Sequence, residues 1–330
     1  MTELDAVDRT LLDRLQSDFP LTLRPFSTLG QALELDEAEV LARVRCLKEE
    51  GVIRQIGAIF DTRRLGYQST LVAFHVENED LEDVATQISA HSGVSHNYAR
   101  PHHYNLWFTL AVPPDQELAE EVRHLVQKAG VDDWLNLPAL RTFKIKTHFK
   151  MQGSNRPRPA ALPGKPTSSA RPFGPADVPF VRALQKDLAL VPRPFVEATQ
   201  WLGVSEEGLL DRAREMQSAG IMRRFGAVLR HRQVGYSTNG MACWVVPESQ
   251  IEEMGCRAAE FTQVSHCYQR PAYPPRWPYT LFTMIHGKTT DEVQSTVNHI
   301  SKEARVQRYE VLYSTREFKK ERVRYFEEET

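Results

Sequence analysis

The stretch GVIRQIGAIFDTRRLGY, residues 51–67, occurs a second time as GIMRRFGAVLRHRQVGY, residues 220–236. Seven positions are identical at a constant offset. After the gain of one residue, VSHNYARP (94–101) is repeated as VSHCYQRP (264–271). Two copies are too few for a solenoid. They predict two homologous halves related by a pseudo-two-fold axis, like a dimer fused into one chain.

The composition is that of an ordinary globular protein. Of the 330 residues, 41% are hydrophobic and 25% are charged, and the formal net charge is −2. This balance gives no general basic excess for binding nucleic acid. The apolar runs are no longer than strands and the N-terminus lacks a signal-peptide core, so we expect a cytoplasmic protein with no membrane segment. The four cysteines have no CxxC spacing, which favours reduced thiols over a metal or disulfide framework.

Each half divides into two parts, which predicts an α+β fold. Three segments with helical periodicity precede a β-rich stretch, as in a winged helix-turn-helix. The pattern βαββαβ follows, which is the ferredoxin-like plan, and its last strand is expected in ALRTFKIKTHF, residues 139–149. The predicted domains are winged helices at 1–60 and 176–230, ferredoxin-like domains at 61–150 and 231–330, and a Pro/Gly-rich linker at 151–175.

A winged helix followed by a ferredoxin-like domain resembles the Lrp/AsnC regulators. The strings GxIRxxGAxxxxxxLGY, VSHxYxRxxxYNLWFT and TLFTMIHG are closer to an enzyme branch of that superfamily, the siroheme decarboxylases, in a fused two-half form. This resemblance implies that siroheme becomes 12,18-didecarboxysiroheme as two acetate groups become methyls, a step in the haem d1 biosynthesis of denitrifiers. It also implies no separate cofactor, since the iron arrives with the substrate.

Siroheme is a flat macrocycle with eight carboxylates, so its binding requires cations. Arg100 and Arg270 occupy matching positions, and we expect their guanidinium groups to clamp carboxylates. Arg54 and Arg223 lie in the predicted wings. For that second pair, structural pairing between domains is an equally good interpretation.

Protonation of the carbon that loses carbon dioxide requires an acid, and histidine titrates in the right range. His96 and His266 occupy matching positions, whereas His102 and His103 occur only in the first half. We expect His102 or His103 to be the proton donor or a ligand of the siroheme iron. His286, found only in the second half, is the next candidate.

These unequal histidines leave two alternatives open. Either one of two equivalent sites has decayed, or the halves contribute different groups to one composite pocket. Tyr104 and Tyr279 precede matching strands, where they would either hydrogen-bond a propionate or pack in the core.

The main alternative function is a tetrapyrrole-responsive regulator of the Lrp type, and a tetrapyrrole carrier is a third. The helices in the recognition position, Asp36–Glu50 and Ser205–Gln217, are both net acidic, which argues against DNA as a partner. Besides siroheme, a homologous decarboxylase subunit is a further candidate partner.

Overall fold

The computed structural model describes residues 4–145, 173–229 and 238–327. The predicted linker lies outside these ranges apart from residues 173–175, as does the end of the second repeat at 230–236.

The two halves have the same order of elements. The first half contains α1 (Ala6–Ser17), α2 (Pro25–Leu33), α3 (Glu37–Glu49), β1 (Ile53–Phe60), β2 (Gln68–Phe74), α4 (Leu81–Ser89), β3 (Val94–Ala99), β4 (Leu106–Val112), α5 (Leu118–Ala129), β5 (Trp134–Pro138) and β6 (Arg141–Ile145). The second half contains α6 (Val178–Leu184), α7 (Val196–Leu202), α8 (Glu206–Ser218), β7 (Met222–Leu229), β8 (Thr238–Trp244), α9 (Ile251–Glu260), β9 (Val264–Gln269), β10 (Leu281–Gly287), α10 (Thr290–Ala304), β11 (Tyr309–Tyr313) and β12 (Arg316–Lys320). The predicted α+β fold is confirmed.

Polar side chains cap the ends of several helices, as the sequence leads one to expect. Asp5 and Asp8 form a capping box at α1, and the carboxylate of Asp36 accepts the backbone N–H of Glu39 at the start of α3. The hydroxyl of Ser205 likewise accepts the backbone N–H of Gly208 at the start of α8.

The wing strands differ from the sequence expectation of a wing within each half. β1 pairs antiparallel with β7 of the other half, and Gly57 lies opposite Gly226. A single hydrophobic core, which includes Leu11, Phe26 and Met216, runs through both N-terminal units. The two winged helices therefore fold as one body, because neither wing strand pairs with a described strand of its own half.

The last strand of each half crosses to the sheet of the other half. One five-stranded sheet has the order β12-β3-β4-β2-β5, and the other has the order β11-β8-β10-β9-β6. The strand expected in residues 139–149 is β6, and it pairs with β9 rather than closing its own sheet. That expectation was wrong, because Trp134–Pro138, which pairs with β2, is the fourth strand of the first ferredoxin-like unit.

The two sheets form the inner layers of the molecule. Helices α4 and α5 pack on the outer face of one sheet, and α9 and α10 pack on the other. The inner faces meet through a buried cluster that includes Trp107, Cys243 and Trp277. Among the described helices, none combines the length and apolar character that crossing a bilayer requires.

Replacement of either wing glycine by alanine should destabilise the whole molecule. A Cβ on Gly57 would lie 2.7 Å from the carbonyl oxygen of Lys186, and a Cβ on Gly226 would lie 2.4 Å from that of Leu15, so both contacts join the halves. We expect Gly57→Ala and Gly226→Ala each to lower the free energy of unfolding in urea by about 1–3 kcal/mol. Gly174→Ala, with nothing within 4 Å of its Cβ position, is the control and should cause no loss.

Candidate active site between the two halves

A cavity of about 970 Å³ lies between the inner faces of the two sheets and the paired wing strands. Both halves line it, and so does the tail that follows β12, residues 321–327. This arrangement corresponds to one composite pocket, the second of the two alternatives left open by the sequence.

The lining of the cavity is strongly basic. Its charged side chains are ten basic ones, Arg54, Arg63, Arg100, Lys186, Arg223, Arg224, Arg270, Lys320, Arg322 and Arg324, and four acidic ones, Asp61, Asp187, Glu321 and Glu327. The whole chain carries a net charge of −2. The positive charge is therefore concentrated at this surface, which favours an anionic ligand.

Two β-bulges bring adjacent side chains to the same face of each sheet. Between β3 and β4, Val94 pairs with Leu110 and His96 with Thr109, so Ser95 is the extra residue. The same shift occurs between β9 and β10, where Ser265 is the extra residue. Neighbouring residues of a regular strand face opposite ways. The bulges instead direct each serine and the histidine after it into the cavity.

The two bulges differ in what their serines contact. Ser95 Oγ lies 3.0 Å from His96 Nδ1 and 2.7 Å from Thr109 Oγ1. Ser265 Oγ lies 2.8 Å from His266 Nδ1 and also 2.8 Å from His286 Nε2.

The backbone identifies Ala111 as the first-half counterpart of His286. The N–H of Ala111 donates to the carbonyl of Gly93, just as the N–H of His286 donates to the carbonyl of Gln263.

The cavity histidines are uncharged near neutral pH. Burial lowers the pKa of His96 to about 4, that of His266 to about 3 and that of His286 to about 4. The cation of Lys320 lowers the pKa of His96 and His286 further. An anion bound in the cavity would oppose both effects.

Arg100 and Arg270 are buried, and each contacts the other half of the protein. Arg100 Nη1 donates to the carbonyl of Leu312, and Arg270 Nη1 donates to the carbonyl of Leu137, so each arginine binds the other half. Burial lowers the pKa of each guanidinium to about 10. The Nε atoms of both are buried without a hydrogen-bond partner among the described residues.

The matching arginines of the wings have different surroundings. Arg223 Nη2 lies 2.8 Å from the carboxylate of Asp61, so it forms the inter-domain pair that the sequence allowed. Arg54 lines the cavity and makes no side-chain hydrogen bond or ion pair with the part of the chain that the structure describes. The residue aligned with Asp61 in the second half is Arg230, which lies outside the described residues.

The sequence interpretation missed the basic tail of the second half. Lys320, Arg322 and Arg324 line the cavity, and Arg322 Nη1 lies 3.3 Å from the carbonyl of Ala58. Arg322 Nη2 is buried without a hydrogen-bond partner within the described ranges. Burial, together with the charges of Arg224 and Arg54, lowers the pKa of Arg322 to about 10. The alternating basic residues of KKERVR, 319–324, were the available signal.

Four predicted site residues lie outside this cavity. His103 Nε2 is 2.7 Å and Tyr104 Oη 3.0 Å from the carboxylate of Asp133. His102 Nε2 is 3.5 Å and Tyr279 Oη 2.7 Å from the carboxylate of Glu310. The buried Trp277 contacts both His102 and Trp107, and Trp107 lines the cavity, so the two tryptophans lie between this cluster and the cavity.

No metal centre stands out among the residues that the structure describes. No group of three or more His, Cys, Asp or Glu side chains there is arranged to hold an ion.

The chain matches two family profiles, each of them twice. Residues 8–54 and 180–223 match the family described as siroheme decarboxylase NirDL-like HTH domain. Residues 64–144 and 233–319 match the family described as AsnC-like ligand binding domain. The matched segments follow the duplication seen in the sequence.

Several known proteins are similar to this chain. A siroheme decarboxylase of Hydrogenobacter thermophilus is 42% identical over 322 residues, which cover 97% of this chain and 95% of that protein. A siroheme decarboxylase alpha subunit of Oleidesulfovibrio alaskensis is 44% identical over 149 residues, 45% of this chain and 90% of that protein. A crystal structure of the siroheme decarboxylase NirDL with an iron-uroporphyrin III analogue is similar with a TM-score of 0.74 and 38% identity, covering 98% of this chain and 95% of that one.

The depressed histidine pKa values predict a loss of stability in mild acid. Unfolding restores the ordinary histidine pKa of 6.5, so the unfolded chain binds more protons as the pH falls from 6.5 towards about 4. The free energy of unfolding, measured in urea, should therefore decrease over this range. His286→Gln should reduce the decrease, whereas the control His124→Gln, at an exposed position, should not. An equal decrease in all three proteins would contradict the neutral state of His286.

Proposed function

Since this chain belongs to the siroheme decarboxylase family, in the form that carries both halves on one polypeptide, it is a carboxy-lyase, and we propose that it converts siroheme to 12,18-didecarboxysiroheme. Two acetate carboxylates leave as carbon dioxide, and each stripped carbon receives a proton to become a methyl group. In this proposal the reaction belongs to the haem d1 biosynthesis of denitrifiers.

The observation that carries the proposal is the charge of the cavity. Ten basic side chains against four acidic ones leave a formal excess of six positive charges around about 970 Å³. Siroheme brings eight carboxylates around an apolar ring. The volume is at the upper end of the range of about 300–1,000 Å³ typical of ligand pockets. The inner sheet faces also supply apolar surface, from Leu71, Trp107 and Phe282, against which a flat ring would pack.

The arginines with unused donors are the best candidates to hold carboxylates. Arg54 has no acidic partner, and Arg322 has a buried Nη2 that awaits an acceptor within the described structure. The Nε atoms of Arg100 and Arg270 offer one further donor each. An orphaned buried donor is costly, so a carboxylate that satisfies it binds with a corresponding gain. Arg223 contributes chiefly through its pair with Asp61.

His96, His266 and His286, rather than His102 and His103, are the proposed source of protons, because only the first three line the cavity. Burial keeps their pKa values at about 3 to 4, so near pH 7 they are neutral and are poor acids. Carboxylates held by Arg54 and Arg322 would add negative charge and raise the histidine pKa values. The substrate thereby helps to charge the acid that its own decarboxylation requires.

The conjugated macrocycle accepts the electron pair left by departing carbon dioxide, so we propose that no cofactor is needed apart from the iron that arrives within the substrate. A histidine of the cavity is a better placed iron ligand than His102 or His103, which are paired with Glu310 and Asp133 elsewhere.

DNA binding is not part of the proposal, because the basic residues of the recognition helices are occupied. Arg43 pairs with Asp5 and Asp8, and Lys48 lies 2.6 Å from Asp187 of the other half. Arg45 donates to the carbonyl of Leu190, and Arg212 pairs with Asp177. Arg214 pairs with Asp211 and donates to the carbonyl of Leu21. Several of these contacts join the halves, so the helices act as scaffold.

The direct test is incubation of the purified chain with siroheme in the absence of oxygen, followed by mass analysis of the tetrapyrrole. Loss of two molecules of carbon dioxide is expected. Binding without any change of mass would instead indicate a carrier. A shift of promoter DNA in a gel that depends on siroheme would indicate a regulator.

Neutral replacements at the proposed carboxylate donors should weaken binding. Arg54→Gln and Arg322→Gln are each expected to raise the Kd of siroheme about tenfold, since each removes a charge-assisted hydrogen bond of about 1.5 kcal/mol. Titration followed by the visible spectrum measures this Kd. Arg123→Gln, on the exposed surface of α5, is the matched control. Unchanged affinity in both cavity variants would remove Arg54 and Arg322 from the site.

Replacement of the cavity histidines should slow turnover more than binding. His266→Gln and His286→Gln are expected to lower the rate of carbon dioxide release by about 10²-fold, the usual contribution of general acid catalysis. His102→Gln and His103→Gln serve for comparison, and their losses should be much smaller. The reverse order of losses would restore His102 or His103 as the acid.

A further inference from the structure

The second-half bulge places one hydroxyl between two imidazoles. Ser265 Oγ lies 2.8 Å from both His266 Nδ1 and His286 Nε2, and it can donate to the carbonyl oxygen of Met284 at 3.2 Å. In the first half Ala111 replaces the second imidazole, and Ser95 Oγ contacts the hydroxyl of Thr109 instead. This three-group chain of His286, Ser265 and His266 is therefore particular to one half of the protein.

The proton count of the hydroxyl restricts the imidazole tautomers. A serine hydroxyl has one proton and two acceptor lone pairs. When Ser265 donates to Met284, both imidazoles must donate to Ser265, and neutral His266 then carries its proton on Nδ1. When Ser265 turns its proton to His266 Nδ1, neutral His266 carries its proton on Nε2. Rotation of the Ser265 hydroxyl thus determines whether neutral His266 carries its proton on Nδ1 or on Nε2.

We propose that Ser265 is a positioning residue that passes a proton from His286 to His266 in each round of decarboxylation, an inference that rests on the proposed function. His286, charged, gives its Nε2 proton to Ser265 as Ser265 gives its hydroxyl proton to His266 Nδ1. His266 then gives its Nε2 proton to the carbon that has lost carbon dioxide. One C–H bond forms, one proton leaves His286, and the serine hydroxyl is regenerated.

The starting form is restored by one proton from water. The Nδ1 proton of His266 returns through Ser265 to His286, while His266 Nε2 takes up a proton from water in the cavity. The net uptake of one proton per round equals what each decarboxylation consumes.

The position of the two histidines in the sheet suits this direction of transfer. His266 lies in the middle of β9, between Ile145 of β6 and Met284 of β10. His286 lies one residue before the end of β10, and the exposed Lys288 follows two residues later. His286 therefore holds the proton near the end of its strand, and His266 delivers it nearer the middle of the sheet.

Burial and several ionisable groups act on this chain of groups. Burial first, then the imidazoles of His286 and His96, and the cations of Arg223 and Arg270 lower the pKa of His266. Burial and the cation of Lys320 lower that of His286. The substrate carboxylates oppose these cations when the cavity is filled. Substrate carboxylates thus favour the charging of His286, which burial and Lys320 disfavour.

The test compares variants of the full chain in single-turnover decarboxylation of siroheme without oxygen. Ser265→Ala should slow release of carbon dioxide about tenfold or more, with little change in the Kd of siroheme. Its rate should also lose the dependence on pH that His286 gives to the wild type. Ser265→Thr keeps the hydroxyl and should restore most of the rate. The matched variant Ser95→Ala, in the equivalent bulge, should lose much less.

A double variant separates transfer through the serine from simple packing. If the two groups act in series, Ser265→Ala combined with His286→Gln should be no slower than the slower single variant. Three results would overturn the relay. The first is a rate loss in the double variant equal to the product of the two single losses. The others are equal rate losses in Ser95→Ala and Ser265→Ala, and a loss of siroheme affinity in Ser265→Ala as large as its loss of rate. An active wild type with an unaffected Ser265→Ala also overturns it alone, whereas a wild type that leaves siroheme unchanged overturns the proposed function as well.

Discussion

Exchange of strands between the halves is the constraint on which the rest of the structure depends. β6 leaves its own half to pair with β9, and β12 returns to pair with β3. The wing strands β1 and β7 likewise pair with each other across the pseudo-two-fold axis. Backbone N–H and C=O groups must be hydrogen-bonded, and these strands bond theirs to strands of the other half. The halves therefore fold together, and the space between them has fixed walls.

The functional cavity is a product of that arrangement. Since β12 crosses over, the basic tail behind it reaches the wing of the first half, where Arg322 meets the carbonyl of Ala58. Arg100 and Arg270 each bind a carbonyl of the opposite sheet, and both residues line the cavity. The same residues thus join the halves and line the site, so stability and ligand binding are coupled at these positions.

Much of the fold followed from the sequence, because helix caps, apolar periodicity and the duplication are local signals. The destination of the last strand did not. Arg141–Ile145 has the same pattern whether it pairs with β2 or with β9, and only the competing strand Trp134–Pro138 decides between them. For the site, matching positions identified Arg100, His96 and His266 as residues to consider. His102 and His103 lie outside the cavity, and composition carries no information on which way a turn leads. The bulges at Ser95 and Ser265 have no sequence mark at all.

The position shared by Ala111 and His286 has a genetic consequence. In a homodimer built from a single coding sequence, every substitution appears on both sides of the axis at once. A histidine gained on one side would necessarily face a second histidine across the axis. When the two halves are encoded by separate stretches of one chain, each position can change alone. The two sides of a pocket on the axis can then carry different residues. Such a pocket is able to hold an asymmetrically substituted ring in a single orientation. A strictly symmetric pocket would bind the same ring equally well in two orientations.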